Sequence, residues 1–440
     1  MAVATQQEMM HPGEHPDVPC LTTATTAPLH RVETHLLDHV TEIEAWFRAR
    51  WRAETPPFYA SVDLRNAGFK LAPVDTNLFP AGFNNLNPAF HALCIQAIQS
   101  VLAEAPPPAR RILLVPESHT RNTFYLESLA VLLGLLERAG FETRIGSLLP
   151  PAECPAPVDT PAGRLVFQPL TRQGARIGVA GFDPCLVLLN NDLSGGRPEI
   201  LEGLEQPVLP PLALGWSQRL KSRHFELYHQ VAVEFATEIG FDPWLIDPYF
   251  RNCGEVNFVD GQGMDCVVRR VTALFAEIQR KYDEYGIVAP PFCILKADAG
   301  TYGMGVMTVT HPDEVRTLNR KQRTRMAKTK EGLPIHQVIL QEGVYTHEYW
   351  GEAQDVAEPV VYMIGRFVVG GFYRVHKERG ATENLNAPGM RFEPLAFSDC
   401  CNLPDRTMDP CAGRNRFYAY GVIARLALLA AARETPAAAS

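Results

Sequence analysis

Residues 292–309 read FCILKADAGTYGMGVMTV, and no other stretch of this chain restricts its fold so tightly. Phe292 to Leu295 form an apolar strand that Lys296 closes. Gly300, Gly303 and Gly305 follow in a loop, and Val306 to Val309 form a second strand. The product is a hairpin with a lysine at the mouth of a glycine-rich turn. It is not a Walker A loop, which needs G-x-x-x-x-G-K-[ST] and a following helix. It is not a Rossmann turn either, because no helix opens after the glycines. Glycines let backbone N–H groups approach an anion closely, since no side chain intervenes, and lysine adds a point charge suited to phosphate. The plainer reading is a glycine-rich hairpin with one exposed lysine.

At 440 residues the chain is too long for one simple core. Strands alternate with helices in its first half: RRILLVPE, a helix within SHTRNTFYLESLAVLLGLLERAGF, FETRIGSLL, then CLVLLNNDLSGG. Such alternation indicates an α/β unit, and ligands gather at the carboxyl ends of strands in open α/β sheets. Glu117, Ser118, His119, Thr120 and Arg121 lie at one such end. Asn190, Asn191, Asp192 and Ser194 lie at another. The expected organisation is a flexible N-terminus (1–28), a helical segment with a polar motif (29–110), an α/β substrate domain (111–210) and a nucleotide-binding region (211–440). His30 to Arg52 reads as one amphipathic helix, with His35 and His39 as surface residues. Pro88 to Leu102 reads as another helix. Pro207 to Pro211 reads as a hinge before the helical GWSQRLKSRHFELYHQVAVEFATEIG. The Ala-rich tail is the one low-complexity tract.

Forty-one basic against 49 acidic side chains leave a net charge of −8, where a generic nucleic-acid binder would more often be basic. The basic run RTLNRKQRTRMAKTKEG (316–332) has no interleaved aromatics and reads as a solvated helix and loop. No apolar run approaches the roughly 18 residues that span a bilayer, and the first 20 residues lack the features of a signal peptide. The ten cysteines contain no C-x-x-C pair. Neither a zinc cluster nor a disulfide framework is expected, and the reading is a cytoplasmic protein with reduced thiols.

A second unusual stretch, KLAPVDTNLFPAGFNNL (70–86), follows SVDLRNAGF, in which Asp63 and Arg65 are two residues apart. Asn and Asp are poor strand formers, so a purely structural role explains this composition badly, although an Asn-rich turn with capping roles is the plain alternative. Asp75 and Asn77 would share one face of an extended segment. Mg²⁺ prefers such hard oxygen ligands.

The C-terminal third continues with VILQEGV (338–344), the paired strands of AEPVVYMIGRFVVGGFYRVH (357–376) and the loop ENLNAPG (383–389). Strand-Lys, glycine-rich loop, Gln-Glu strand, paired strands ending in Arg and Asn-rich loop, in that order, resemble the ATP-grasp fold. The fold class expected is therefore α/β (α+β), of ATP-grasp type with an additional α/β substrate-binding domain. KLAPVDTNL is similar to the metal-binding Glu-x-Asn segment of eukaryotic-type glutathione synthetases, with Asp75 at the Glu position and Asn77 at the Asn position. VDLRNAGFKLAPVDTNLFPAGFNNL, LLNNDLSGG, GWSQRLKSRHF and ILKADAGTYGMGVMTV together resemble the proteobacterial glutamate–cysteine ligase family, from about residue 30 to 430.

That resemblance implies ATP-dependent joining of L-glutamate to L-cysteine through an acyl phosphate, the first step of glutathione synthesis. ATP and Mg²⁺ would be the cofactors. The partners would be small-molecule substrates, with no nucleic acid and no membrane, and a homo-oligomer stays open. Lys296 would contact the ATP phosphates, with Gly300, Gly303 and Gly305 shaping a lid and Lys221 and Arg219 adding contacts. Gln341 and Glu342 would meet the adenine or ribose. Asp75 and Asn77 would bind Mg²⁺, with Asp298 either a further ligand or a loop cap. Arg65 and Arg374 would hold a carboxylate or the transferring phosphate, since arginine binds both in bidentate fashion. Two alternatives remain at this point: glutathione synthetase or another ATP-grasp carboxylate–amine ligase, and a non-catalytic nucleotide-binding protein.

Overall fold

The structure, a computed structural model, describes residues 20–21, 24, 29–103, 110–118, 122–300, 306–318, 320–326, 335–395, 397–398 and 416–434. Gly303, Gly305 and His119 to Arg121 lie outside the described residues, as does most of the 1–28 segment and part of the basic run. Cys20–Leu21, inside that first segment, pairs with Phe397–Ser398.

The helix expected over His30–Arg52 is two helices, α1 (Arg31–Asp38) and α2 (Val40–Arg50). His39 breaks it, with φ −110° and ψ 26°. Its ring bonds the carbonyl of His35 at 2.8 Å, and the His35 ring bonds the carbonyl of Ile239 at 2.8 Å. Backbone carbonyls thus occupy both imidazoles. Strands β1 (Tyr59–Asn66) and β2 (Leu71–Asn77) follow as an antiparallel pair, and helix α3 spans His91–Ala103.

The next segment builds a parallel sheet. Its strands are β3 (Arg111–Pro116), β4 (Glu142–Ser147), β5 (Phe167–Pro169), β6 (Leu186–Asn190) and β7 (Val208–Leu209), with α4 (Thr123–Arg138) between the first two. They run in the order β7-β6-β3-β4-β5, each neighbour parallel. β6 is buried along its whole length, as the unbroken apolar run LVLL requires of a strand covered on both faces. The Pro207–Pro211 hinge is not observed: Val208 and Leu209 pair with Val187 and Leu188 as an edge strand, a position that tolerates flanking prolines.

The remaining chain supplies α5 (Lys221–Ile239), β8 (Phe250–Glu255), α6 (Met264–Tyr285), β9 (Cys293–Ala297), β10 (Val306–Val309), β11 (Gln337–Glu342), β12 (Glu348–Trp350), β13 (Asp355–Ile364), β14 (Phe367–His376), β15 (Arg391–Pro394) and, named last, α7 (Arg416–Glu434). β8-β11-β9-β10 form a four-stranded antiparallel sheet, and β9–β10 is the expected lysine hairpin. Gly343 follows β11 where a Cβ would lie 2.2 Å from the Phe292 ring, so only glycine fits there. The second antiparallel sheet runs β15-β14-β13-β1-β2, with β12 also paired to β13. Gly365, at φ 50°, makes the tight β13–β14 turn that left-handed residues favour. The motif strands β1 and β2 therefore share a sheet with residues 355–394, and the 29–110 segment is not set apart from the C-terminal region.

The Ala-rich tail contributes the most deeply buried helix. In α7, Val422, Ile423, Leu426, Leu428 and Leu429 are fully buried, each contributing about 1.5–3 kcal/mol. A helix with apolar residues on nearly every side belongs inside a core, and this one packs on α5, β1 and β2. Among the described residues no helix is long and apolar enough to cross a membrane.

Candidate active site

The two antiparallel sheets face each other across a cleft with about 880 Å³ of empty space, its open mouth included, within the usual range of roughly 300–1,000 Å³ for ligand pockets. β1 and β2 bring Asp63, Arg65 and Asp75 to it. β9 brings Lys296, β11 brings Gln341 and Glu342, β13 and β14 bring Glu358 and Arg374, and the start of α5 brings Lys221. Gly300 lines it too, as do Asn384 and Asn386 of the ENLNAPG loop.

At one end stand two lysines and a carboxylate. Lys221 Nζ donates to Asp75 Oδ1 at 3.1 Å, and Lys296 Nζ donates to the carbonyl of Val74 at 2.8 Å. Burial would raise the Asp75 carboxyl, but Lys221, Lys296 and Arg219 outweigh it and hold it near 2. Burial pulls Lys296 down to about 8 despite Asp75. Asp75 stays ionised across the working range, and its side chain is still 40% exposed. The Trp216 ring lies 3.8 Å from Lys221 Nζ, a cation–π contact that steadies the lysine.

At the other end Gln341 and Glu342 behave differently from each other. Gln341 is buried and its Nε2 has no partner in the protein. A buried donor without a partner points to a missing one. Glu342 is fully committed. It accepts from Lys70 Nζ at 2.7 Å, from the Tyr249 backbone at 2.9 Å and from Trp244 Nε1 at 3.1 Å. Burial pushes Lys70 down and Glu342 up, each against the other's charge. The expected ribose or adenine contact does not fit Glu342, whose oxygens already hold these donors.

The arginines divide in the same way. Arg374 Nη1 donates to Asp63 Oδ2 at 2.9 Å and to Glu358 Oε1 at 2.6 Å, while its buried Nε has no protein partner. Arg65 donates to Glu358 at 3.0 Å, to the carbonyls of Val344 and Ala381 at 3.2 Å, and to the carbonyl of Glu383. It holds the loop that carries Asn384 and Asn386, and every guanidinium nitrogen is engaged.

Two expected metal residues lie elsewhere. Asn77 Oδ1 accepts from the Phe79 backbone at 3.0 Å and from Trp216 Nε1 at 3.4 Å, the turn role open to Asn at a strand end. Asp298 is fully buried. Its two oxygens accept from the backbone and hydroxyl of Ser222, each at 2.7 Å, so it caps α5 from a distance. Arg219, expected at phosphate, instead donates to Glu434 and to the carbonyl of Thr76.

Among the described residues no three His, Cys, Asp or Glu side chains converge on one point. Mg²⁺ beside a nucleotide needs only one or two carboxylates, with phosphate and water completing the shell. Asp63 and Asp75 meet that need: they pair across β1 and β2 and both face the cleft. Burial holds Asp63 above its ordinary range, against the pull of Arg374. Sequence reasoning missed Asp63 and Glu358 as members of the cleft, and Lys70 as the buried partner of Glu342 behind it. The signal for Asp63 was present, since a strand places residues 63 and 65 on one face.

Two lysines, two facing carboxylates and donors awaiting an acceptor give this cleft groups that could hold a phosphorylated ligand beside a cation. The chain belongs to the glutamate-cysteine ligase family (GshA), which matches residues 33–435, and with the family comes the joining of glutamate to cysteine. It is similar at 57% identity, with a TM-score of 0.83, to a Methylobacillus flagellatus KT protein that carries the provisional name gamma-glutamylcysteine synthetase; the match covers 95% of this chain and 98% of that one. Fainter likenesses, each at 10% identity, are to D-alanyl-alanine synthetase A of Vibrio cholerae O1 biovar eltor str. N16961 (TM-score 0.35, 72% of this chain and 81% of that one) and to the glutathione synthetase like-effector GSS30 of Globodera pallida (TM-score 0.34, 85% of each). No curated protein sequence matches the chain.

Proposed function

We propose that this cleft uses ATP to phosphorylate the γ-carboxylate of L-glutamate and then delivers the acyl group to the amine of L-cysteine, giving γ-glutamylcysteine, ADP and phosphate. One observation carries the reading: Lys296, Lys221 and Asp75, from three distant stretches, meet in one cleft between two sheets. In the first step a γ-carboxylate oxygen attacks the γ-phosphorus and ADP leaves. In the second the cysteine amine attacks the acyl carbon, loses a proton and expels phosphate. No protein nucleophile is required, so catalysis rests on positioning and charge.

Lys296 is held between burial, which lowers its pKa, and Asp75, which restores charge. An arriving phosphate would draw it fully into the charged form. Lys221, seated on Trp216, would supply the second charge. Mg²⁺ would be held by Asp75 and Asp63, with Asn386 lining the same cleft, and would neutralise phosphate charge. Arg374, braced by Asp63 and Glu358, would face the substrate carboxylate or transferred phosphoryl group through Nε. Gln341 Nε2 would donate to the nucleotide base, and Gly300 would shape the loop over the phosphates. Arg65 and Glu342 become positioning residues, because their own hydrogen bonds are complete. Free thiols at Cys94, Cys154, Cys185, Cys253, Cys266 and Cys293 support a reducing, cytoplasmic setting.

The test is mass spectrometry of the product formed from ATP, Mg²⁺, glutamate and cysteine. A γ-glutamylcysteine mass with one ADP per product is expected. Turnover only with γ-glutamylcysteine and glycine would make the protein a glutathione synthetase instead.

A further inference from the structure

Strand β2 places successive side chains on opposite faces. Asp75 faces the cleft, and Thr76 faces the rear. Behind Thr76 lies a buried charged cluster with no part in the chemistry above. Arg219 Nη1 donates to the Thr76 carbonyl at 2.6 Å, and His224 Nε2 shares a hydrogen bond with Thr76 Oγ1 at 2.9 Å. Glu434 ties the two together. It accepts from Arg219 Nε at 2.7 Å and Nη2 at 2.8 Å, and from His224 Nδ1 at 2.6 Å. The Arg219 and Glu434 side chains are 2% and 5% exposed.

We infer that Arg219, His224 and Glu434 form a positioning unit that fixes Asp75 from behind, so that the end of α7 sets the geometry of the proposed metal site. The inference rests on the reading of Asp75 as a metal ligand. Thr76 is gripped through its backbone and through its side chain, which fixes the peptide that carries Asp75. The same short segment grips the front. Lys221, two residues beyond Arg219, bonds Asp75, and Trp216 bonds Asn77 while its ring meets both Arg219 and Lys221. Residues 216–224 therefore hold β2 on both faces at residues 75–77. A buried ion pair is often no more stabilising than an apolar replacement of similar shape. A placement role explains why charge is kept here, in the manner of outer partners that orient metal ligands.

The test is Mn²⁺ binding, followed by electron paramagnetic resonance with a non-hydrolysable ATP analogue, in Glu434→Gln and Thr76→Val. Thermal melts and steady-state kinetics accompany it. Affinity for Mn²⁺ should fall about tenfold in each variant. The Mg²⁺ activation constant should rise by the same factor while KM for cysteine stays put. Glu434→Gln, which keeps one acceptor, should lie between wild type and Glu434→Ala. Lower melting temperature with unchanged Mn²⁺ affinity per folded molecule would make the cluster a purely structural feature and overturn the inference. If Glu434→Gln does not fold, Thr76→Val, nearly the same shape, decides alone. Wild-type protein that binds no Mn²⁺ with nucleotide would instead refute the proposed function.

Discussion

Two lysine–carboxylate pairs, Lys70–Glu342 buried beside the cleft and Lys221–Asp75 within it, are built to opposite ends. Lys70 and Glu342 meet at 2.7 Å with both side chains 1% exposed, and further donors complete the glutamate. Lys221 and Asp75 meet at 3.1 Å with the aspartate well exposed and a second lysine close by. The first pair ties the start of β2 to the end of β11 and so braces one sheet against the other. The second keeps charge available to a ligand. Proximity to the cleft is therefore a weak guide to function. What separates the pairs is how many of their hydrogen-bonding positions the protein has already filled.

Substitutions should separate them as sharply. The largest effect belongs to Lys70→Met, which strands a buried carboxylate and should cost about 3–5 kcal/mol of stability in denaturant melts. Lys70→Met with Glu342→Leu should recover only part, because Trp244 Nε1 and the Tyr249 backbone then lose their acceptor. A Lys70→Met protein as stable as wild type would break the contrast.

Next is Lys296→Ala. It should lower kcat/KM by about 2.7–4 kcal/mol, by comparison with loss of one oxyanion donor. Its melting temperature should match or exceed that of wild type, since a desolvated charge is removed. A stability loss without a catalytic one would place Lys296 with Lys70. Asp75→Asn should raise the Mg²⁺ activation constant at least about tenfold, and an unchanged titration would remove Asp75 from the site.

The smallest effect is a pH dependence. Lys296 is charged below about 8 in the free protein, and a bound phosphate favours that charged form. Nucleotide affinity should therefore hold up to about pH 8 and weaken above it, by up to about tenfold per unit. Calorimetry at pH 7 and 9 measures this. Lys296→Arg should flatten the trend, because a guanidinium does not titrate there.

These distinctions also mark what could be read without coordinates. The lysine hairpin, the Gln-Glu strand and Asp75 were legible because each rests on local pattern: strand period, glycine placement, a polar residue where strand formers are expected. Glu342, Arg65, Asp298 and Arg219 carried the right chemistry for a site. Their partners Lys70, Glu358, Ser222 and Glu434 come from remote parts of the chain, and nothing local announces them. The helix ending at Glu434 escaped for another reason. An Ala- and Leu-rich run has no polar face, and without a stripe its periodicity shows nothing. The break at His39 was hidden likewise, since apolar spacing continues across it.

Oxygen tracing tests the central claim most directly. With both γ-carboxylate oxygens of glutamate carrying ¹⁸O, an acyl phosphate route transfers one labelled oxygen to each phosphate released and leaves the other in the new amide. That result is predicted, with ADP as the nucleotide product. Phosphate without label, or release of AMP and pyrophosphate, would contradict it.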